Sequence, residues 1–331
     1  MRAAWYERTG RARDVLVHGQ RPCPSAKADE VLVRVAYSAV HPADVKRRAG
    51  LLGPAPTGPV IPHSDGAGVV EAVGDCLSAG EWLHRHVWIF HAQRGRAEGT
   101  AAEYVALPSR LCRPVPEPYT LAEAACIGIP MLTAHAAVLG LGPVKGKSVV
   151  VTGASGGVGR YALQWARWAG ASRVLGTVTA ASQMGLARDL GADAVLDLEE
   201  REPQAWIENA LGGARKVDLV VDLDMGRNAP WVQKVIAPGG RWSIFASGAP
   251  VALDPRSLLD TNARLRFVQS HSLAPHELAS ALADVARIHA DQAVRHEIGE
   301  VFALEDIAAA HERVEARGRR GATLLKVGEA A

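Results

Sequence analysis

The pattern of apolar and polar side chains changes character near residue 118. Before that point short apolar runs are separated by Gly and Pro, and β-forming residues recur at every second position between 31 and 37. Residues 68–74 and 87–90 are predicted to form further strands. Because many short strands are crowded into this segment, we predict that it folds as a β-barrel or sandwich.

From Thr120 onward predicted helices alternate with predicted strands, which is typical of a doubly wound α/β domain around a parallel sheet. A helical region is predicted over residues 121–139, before a strand that starts at Lys147. The later strands are predicted at residues 173–178, 194–196, 217–222 and 241–245.

The last part of the chain returns to mixed structure, and its final strand, at residues 323–327, is expected to rejoin the N-terminal domain. Before it we predict a strand at residues 264–269 and helices that begin at Pro275 and Leu304. The fold class is therefore α/β with three segments: a β-rich domain at 1–120, a doubly wound domain at 121–262 and a C-terminal return to the first domain at 263–331.

Residues 147–159 read KSVVVTGASGGVG, a buried strand that ends in a glycine-rich turn and opens into a helix. Such a turn directs backbone N–H groups and the positive end of a helix dipole at a phosphate. Gly156 would let the backbone approach a pyrophosphate, and Gly159 would let the helix pack closely on the strand. The turn predicts a dinucleotide site whose contacts come from Ala154, Ser155, Gly156, Gly157 and Val158.

The same turn also matches G-x-S-x-G, the nucleophile elbow of α/β-hydrolases, with Ser155 as nucleophile and Asp222 and His271 as possible partners. An elbow has no use for Gly159, and no HGGG-type oxyanion segment precedes Ser155. We therefore favour the cofactor turn.

Composition and charge argue against several classes of partner. The 331 residues carry 37 basic and 35 acidic side chains, so neither nucleic acid nor an anionic membrane is implied as a partner. No apolar run is long enough to span a bilayer, and the N-terminus lacks the apolar core of a signal peptide. The four cysteines form no C-x-x-C pair, which predicts neither a disulfide framework nor a cysteine-rich zinc site. We expect a cytoplasmic protein.

Four segments carry a resemblance to a known family: residues 41–50, 61–70, 99–105 and 132–135, the last lying just before the glycine turn. Together with that turn they make the chain similar, over nearly its whole length, to the zinc-free quinone oxidoreductase (zeta-crystallin-like) branch of the medium-chain dehydrogenase/reductase superfamily. The resemblance implies a GroES-like β-barrel domain, a Rossmann domain with the cofactor in the cleft between them, and a homodimer or tetramer, of which we expect the homodimer.

The resemblance also allows the zinc-binding positions of the family to be compared with this sequence. Zinc-dependent members carry Cys, His and Cys as catalytic ligands, and those slots here hold His41, Ser64 and Ile129. Neither Ser64 nor Ile129 replaces the expected ligand, and a lone imidazole does not hold zinc in a catalytic site. The four-cysteine structural zinc loop of the family is absent as well. We expect a protein without metal.

Without zinc as a Lewis acid, the plausible substrate is one that delocalises the incoming negative charge, namely a quinone or an α,β-unsaturated carbonyl. The predicted reaction is hydride transfer from a nicotinamide. Two alternatives stay open: an enoyl or alkene reductase of a biosynthetic pathway, and a non-catalytic NADP(H)-binding protein.

Residues 177–184 contain no carboxylate to hold the ribose 2′-hydroxyl of NAD, which favours NADPH. Met184 stands where relatives often have Lys, so the 2′-phosphate lacks that anchor. Arg160 and Arg188 are alternatives, although we expect both on the solvated helix surface. Hydrogen bonds toward the ribose are predicted from Thr179, Ser182 and Gln183.

His41 stands where relatives commonly have Asn, near the nicotinamide, and is the candidate proton donor; the alternative is a histidine bonded to backbone at a domain edge. Asp44, Lys46 and His63 are assigned to the substrate cleft, although Lys46 also suits a surface position and His63 a structural one. Further cofactor contacts are predicted from Thr133, Ser247 and Gly248. Asp222 suits either the cofactor site or a helix cap.

Overall fold

A computed structural model describes residues 1–213, 216–248, 250–316 and 318–328. Its contacts divide the chain into two compact units. The N-terminal unit contains Met1–Ile129 and His296–Ala331, and the central unit contains Pro130–Arg295. The segment boundaries expected from sequence lie at 120/121 and 262/263, and they stay predictions.

The strands of the described residues are β1 Arg2–Trp5, β2 Val17–Gln20, β3 Glu30–Val40, β4 Asp65–Val73, β5 His86–Ile89, β6 Tyr104–Pro108, β7 Cys112–Pro114, β8 Ser148–Val151, β9 Arg173–Val178, β10 Ala194–Asp197, β11 Val217–Asp222, β12 Ile236–Ile244, β13 Arg264–Phe267, β14 Ile298–Ala303 and β15 Ala322–Lys326. The α-helices are α1 Ala12–Val15, α2 Pro42–Arg48, α3 Ala79–Trp82, α4 Leu121–Ala124, α5 Gly128–Leu139, α6 Gly159–Trp168, α7 Met184–Asp189, α8 Pro203–Ala210, α9 Met225–Val235, α10 Pro255–Thr261, α11 Pro275–Ala290 and α12 Ile307–Glu315. No helix of these ranges is both long and apolar enough to cross a membrane.

The N-terminal unit is built on a seven-stranded mixed sheet in the order β14-β15-β3-β4-β5-β7, with β6 also paired to β3. In β3 the side chains of Val31, Val33 and Val35 are fully buried, as the every-second-residue pattern predicts. Strand β15 pairs antiparallel with β3. This pairing confirms that the end of the chain rejoins the N-terminal part.

The central unit is a parallel sheet of six strands in the order β10-β9-β8-β11-β12-β13. Sequential strands run outward from β8 in one direction and from β11 in the other, so the order reverses between these two neighbours. Val149, Val150 and Val151 of β8 are buried, as expected for a strand covered on both faces. The predicted doubly wound architecture is confirmed, and its binding edge is the one where β8 and β11 end.

The helical region predicted over 121–139 is present as two helices, α4 and α5, with a turn between them. The buried carboxylate of Asp65 lies against the start of α5. A Cβ added at Gly128 would collide with that carboxylate, and the backbone N–H of Ile129 donates to its Oδ2 over 2.5 Å. A charged acceptor therefore meets the chain where α5 begins and satisfies an N–H of its first turn.

Candidate functional site

The glycine turn of the central unit joins the end of β8 to the start of α6. Gly153 has φ +59°, a left-handed conformation that favours glycine. A Cβ at Gly159 would lie 2.8 Å from the Gly153 carbonyl carbon and closer still to its oxygen, so the helix can start here only with glycine. Gly159 is needed for close packing, as predicted, but the close neighbours are backbone atoms of Gly153 and Ala154 in the turn and not the strand itself.

Backbone amides are available in this turn for an anion. Within the described ranges, the N–H groups of Ser155, Gly157 and Val158 donate no hydrogen bond to the protein. A Cβ at Gly157 would meet no atom within 4 Å, so open space lies against the turn. Unpaired amides at a helix N-terminus beside open space fit a pyrophosphate. The turn thus fits the dinucleotide that the sequence predicts.

A buried hydrogen-bond network fixes the edge where β8 and β11 end. Thr152 Oγ1 donates to Asp222 Oδ1 over 3.0 Å and accepts from the backbone N–H of Leu223 over 2.8 Å. Asp222 also accepts from Trp242 Nε1 over 2.9 Å and from Asn228 Nδ2 over 2.7 Å. Burial raises the pKa of Asp222, although these hydrogen bonds oppose the shift.

This network answers two sequence alternatives. Asp222 accepts from the backbone N–H of Asp224 over 3.0 Å, but Asp224 is itself the residue before α9 and among the described residues no side chain caps that helix, so Asp222 is not its cap. The rest of its hydrogen bonds hold β8, α9 and β12 together. A hydrolase would need Asp222 to orient a histidine instead, and both carboxylate oxygens are already committed to other donors.

The other predicted cofactor contacts mostly follow the carboxyl ends of the same parallel strands. Thr179 and Ser182 are exposed and Gln183 is half-buried, all just beyond β9. Ser247 and Gly248 are exposed beyond β12, where the Gly248 N–H donates to Asp224 Oδ1 over 3.2 Å. Their contacts with a cofactor stay predictions.

Two further positions in the central unit are buried. Thr133 lies within α5 and is only 6% exposed. The expectation of a solvated Arg160 is wrong, because this side chain is buried on α6 and its guanidinium carbon lies 5.3 Å from the centre of the Tyr161 ring. Arg188 is exposed on α7, as expected. Of the two alternative phosphate anchors, Arg188 is therefore the accessible one.

The N-terminal unit holds the candidate proton donor in a hydrogen-bonded pair. His41 directly precedes α2, and its Nε2 lies 2.7 Å from Oδ2 of Asp65, the first residue of β4. Asp65 is fully buried and also accepts from the backbone N–H groups of Ile129 and His91. The side chain of His41 stays 12% exposed, and in the described residues its Nδ1 makes no hydrogen bond. Nδ1 is therefore the ring nitrogen left open for a hydrogen bond to a small molecule.

Charge in this pair favours a protonated imidazole. Burial disfavours the charged form of His41, but the charge and hydrogen bond of Asp65 outweigh it and raise the pKa of the ring. Asp44 is almost fully buried on α2, where its Oδ2 accepts from the His41 backbone N–H over 2.8 Å. Burial raises the pKa of Asp44 to about 6 against the opposing effect of His41.

The two other residues assigned to the substrate cleft, Lys46 and His63, differ in their exposure to solvent. Lys46 is exposed on α2. His63 is fully buried, with Nδ1 2.8 Å from Ser38 Oγ and Nε2 2.9 Å from Nε2 of His311. Burial first, and then the neighbouring His311 and His41, hold the pKa of His63 well below its usual value. This environment matches the structural role that the sequence left open for His63.

The residues in the family's zinc slots do not fit zinc. His41 Nε2 is bonded directly to Asp65, which leaves no space for an ion between them. Ser64 is buried next to Asp65, and Ile129 offers a hydrocarbon side chain and a backbone N–H that is already used. Across the described part of the chain no three His, Cys, Asp or Glu side chains are grouped as a metal site requires.

The family models and curated relatives agree with this architecture. Residues 27–117 match the alcohol dehydrogenase GroES-like domain, and residues 157–287 match the zinc-binding dehydrogenase model. The quinone oxidoreductase of Sus scrofa is 30% identical over 304 residues, which cover 91% of this chain and 90% of that protein. The chain belongs to the quinone oxidoreductase branch of the medium-chain dehydrogenase/reductase superfamily. The family, the GroES-like and Rossmann domains and an enzyme of the NADPH:quinone oxidoreductase type, all predicted from the sequence, are confirmed.

Other relatives widen the range of chemistry. The 2-methylene-furan-3-one reductase of Solanum lycopersicum is 32% identical over 225 residues, 66% of this chain and 55% of that protein. A solved NAD-dependent alcohol dehydrogenase superimposes with a TM-score of 0.87 at 28% identity, covering 99% of this chain and all of the other. A mycobacterial protein complexed with NADPH does so with a TM-score of 0.83 at 28% identity, covering 98% and 99% of the two chains.

Sequence reasoning missed Asp65 as the partner of His41 and the buried Thr152–Asp222–Trp242 network. A signal for Asp65 was present, since an acid directly follows Ser64 in the segment that resembles the zinc site. Thr152 and Asp222 end adjacent parallel strands, and pairing these strand ends would have suggested their contact. Nothing in the local sequence indicates that Trp242 donates to Asp222.

Proposed function

We propose that this chain is an NADPH-dependent, zinc-independent reductase that delivers hydride to a quinone or an α,β-unsaturated carbonyl. The observation that carries the proposal is the His41–Asp65 pair, in which the residue at one of the family's zinc slots is a histidine bonded to a buried carboxylate and offers a proton donor in place of a Lewis acid. The glycine turn of the central unit supplies the cofactor side of the argument through its unpaired amides.

NADPH is the cofactor that the residues and the family support. Beyond β9 no carboxylate stands within residues 177–184, so nothing in that segment repels a 2′-phosphate. The mycobacterial neighbour complexed with NADPH has the same fold across nearly the full length. The NAD-dependent neighbour shows that the fold also serves NAD, so the segment beyond β9, and not the fold, must decide between the two.

The chain's own residues have distinct tasks in this reaction. The amides of Ser155, Gly157 and Val158 bind the pyrophosphate at the start of α6. The Thr152–Asp222–Trp242 network keeps the ends of β8, β11 and β12 in fixed register, so that groups beyond these strands can orient the nicotinamide. When bound, NADPH supplies a hydride from its dihydronicotinamide ring.

The substrate class follows from what the pair can offer. A saturated ketone becomes an alkoxide on hydride addition and needs strong stabilisation of that charge, which zinc provides in other members of the superfamily. A quinone or enone spreads the charge over a conjugated system, and a histidine is then sufficient to supply the proton. The tomato relative is named as a reductase of a conjugated furanone, which supports the enone arm of the proposal.

The test is oxidation of NADPH followed at 340 nm with a naphthoquinone, an acyclic enone and a saturated ketone, each repeated with NADH. We expect turnover of the quinone or the enone with NADPH, slower turnover with NADH, and none with the ketone. Efficient reduction of the ketone with the enone untouched would overturn the proposed chemistry. NADPH binding without turnover of any compound would favour the non-catalytic alternative.

A further inference from the structure

The His41 ring is held by one nitrogen only. Nε2 lies 2.7 Å from Asp65 Oδ2, while Nδ1 has no partner among the described residues and belongs to a side chain that is 12% exposed. Asp65 itself cannot reach a ligand, because it is fully buried and held by backbone N–H groups. A fixed carboxylate behind a partly exposed imidazole is the arrangement that orients a histidine for proton transfer.

We infer that Asp65 positions His41 to donate a proton from Nδ1 to the carbonyl oxygen of the reduced substrate, and that this makes an enone the preferred substrate class. The inference rests on the proposed function and deepens it. Asp65 is a positioning residue, and His41 is the catalytic residue that touches the substrate.

The chemistry separates the two substrate classes. Hydride addition to the β-carbon of an enone forms a C–H bond and leaves an enolate, whose oxygen is a strong base. The Nδ1–H bond of the imidazolium then breaks and an O–H bond forms, giving an enol and a neutral His41 that takes its next proton from solvent. A quinone reduced in the same way gives a hydroquinone anion of similar basicity, but the aromatic ring that forms drives the hydride transfer to completion, and water can then supply the proton. The pair therefore matters more for the enone.

The charged groups around the pair set the pH at which it works. The charged and titratable groups that face His41 or its neighbour Asp44 are Asp65, Arg319, Arg47 and His63. The two carboxylates favour the imidazolium and Arg319 opposes it. His63 is held neutral by its buried position, so it adds no lasting charge near neutral pH. The net effect leaves protonated His41 available on the acid side of its raised pKa.

The experiment compares kcat for an enone and for a naphthoquinone across pH in the wild type, in Asp65→Asn, in His41→Asn and in the double variant. In the wild type we expect kcat for the enone to fall as pH rises through the pKa of His41. Asp65→Asn should lower kcat for the enone about 100-fold, shift the falling limb to lower pH and change quinone turnover much less. His41→Asn should remove the limb, and adding Asp65→Asn to it should cause no further loss.

Asp284→Asn is the matched control, because Asp284 Oδ2 lies 2.9 Å from a histidine nitrogen, that of His135, in the central unit. It should leave the falling limb in place. A readout independent of turnover is NMR titration of the histidine rings without cofactor, in which Asp65→Asn should lower the midpoint of the His41 resonance.

Each outcome decides the inference. The inference is overturned if the wild-type kcat for the enone is independent of pH, or if Asp65→Asn lowers that kcat equally with and without His41. Continued quinone turnover would in that case leave the proposed function intact. Absence of NADPH-linked turnover with both substrates would instead overturn the proposed function. If Asp65→Asn does not fold, the wild-type profile and His41→Asn still decide, since loss of the limb in His41→Asn is required.

Discussion

Gly159→Ala tests the geometry of the cofactor turn. The new Cβ would lie 2.8 Å from the Gly153 carbonyl carbon and 3.0 Å from Ala154 Cα, and closer still to the Gly153 oxygen. All three are backbone atoms, so no side-chain rotation relieves the overlap, and the start of α6 must move away from the end of β8. Overpacking of this kind costs about 1–3 kcal/mol, and we expect the upper part of that range because the backbone itself must shift.

The assay is urea unfolding of Gly159→Ala beside the wild type, together with NADPH affinity from quenching of protein fluorescence. We expect a lower free energy of unfolding by about 3 kcal/mol and NADPH binding weakened by more than about tenfold, since the amides would no longer point to a common centre. Gly157→Ala separates the two effects. Its Cβ would meet no protein atom within 4 Å, so stability should hold while the methyl group obstructs the phosphate.

Gly185→Ala serves as the control, because this glycine lies within α7 and its Cβ would also meet nothing within 4 Å. It should leave NADPH affinity unchanged and raise stability by up to about 1 kcal/mol through helix propensity. A Gly159→Ala protein as stable as the wild type and with unchanged NADPH affinity would refute the packing argument for the turn.

Two further predictions concern buried polar groups. Thr152→Val removes the donor to Asp222 Oδ1 and the acceptor of the Leu223 N–H. It should lower the free energy of unfolding, measured in urea, by about 1–3 kcal/mol. An unchanged free energy of unfolding would contradict the hydrogen-bond network. The pKa of the Asp44 carboxyl is about 6 in the folded state against 3.8 unfolded, so the folded state binds the Asp44 proton more tightly. The protein should therefore lose stability as pH rises between these two values, by about 3 kcal/mol in total. Asp44→Asn should flatten that part of a melting profile measured from pH 4 to 7, and an unaltered slope would show that Asp44 titrates normally.

The sequence predicts the two architectures well because each depends on periodicity. Alternation in β3 and the buried run of β8 are read directly from apolar spacing, and the glycine turn has a local signature that needs no tertiary information. His41 could be nominated from its residue type and from the family position that it occupies. Its partner could not, because Asp65 lies 24 residues away and the two meet only through the pairing of β3 with β4 that positions the start of β4.

The departures from the predicted structure have physical causes. The helical region at residues 121–139 contains Gly128 and Pro130, which have low helix propensity, and the chain turns before α5 where the Ile129 N–H donates to the Asp65 carboxylate. Arg160 was assigned to the surface because arginines seldom bury, and its position on α6 over the Tyr161 ring overrides that tendency. The contact between Asp65 and Ile129 joins residues 64 positions apart, outside the window from which local structure is predicted.

Reduction without zinc is the central claim, and one measurement tests it most directly. The zinc content of the purified protein is measured, and NADPH oxidation with an enone and a naphthoquinone is then followed before and after treatment with a strong chelator and after zinc is added back. The account predicts far less than one zinc per chain and the same rates in all three states. Stoichiometric zinc, with activity lost to the chelator and restored by the metal, would contradict the reading of His41, Ser64 and Ile129 on which the proposed function depends.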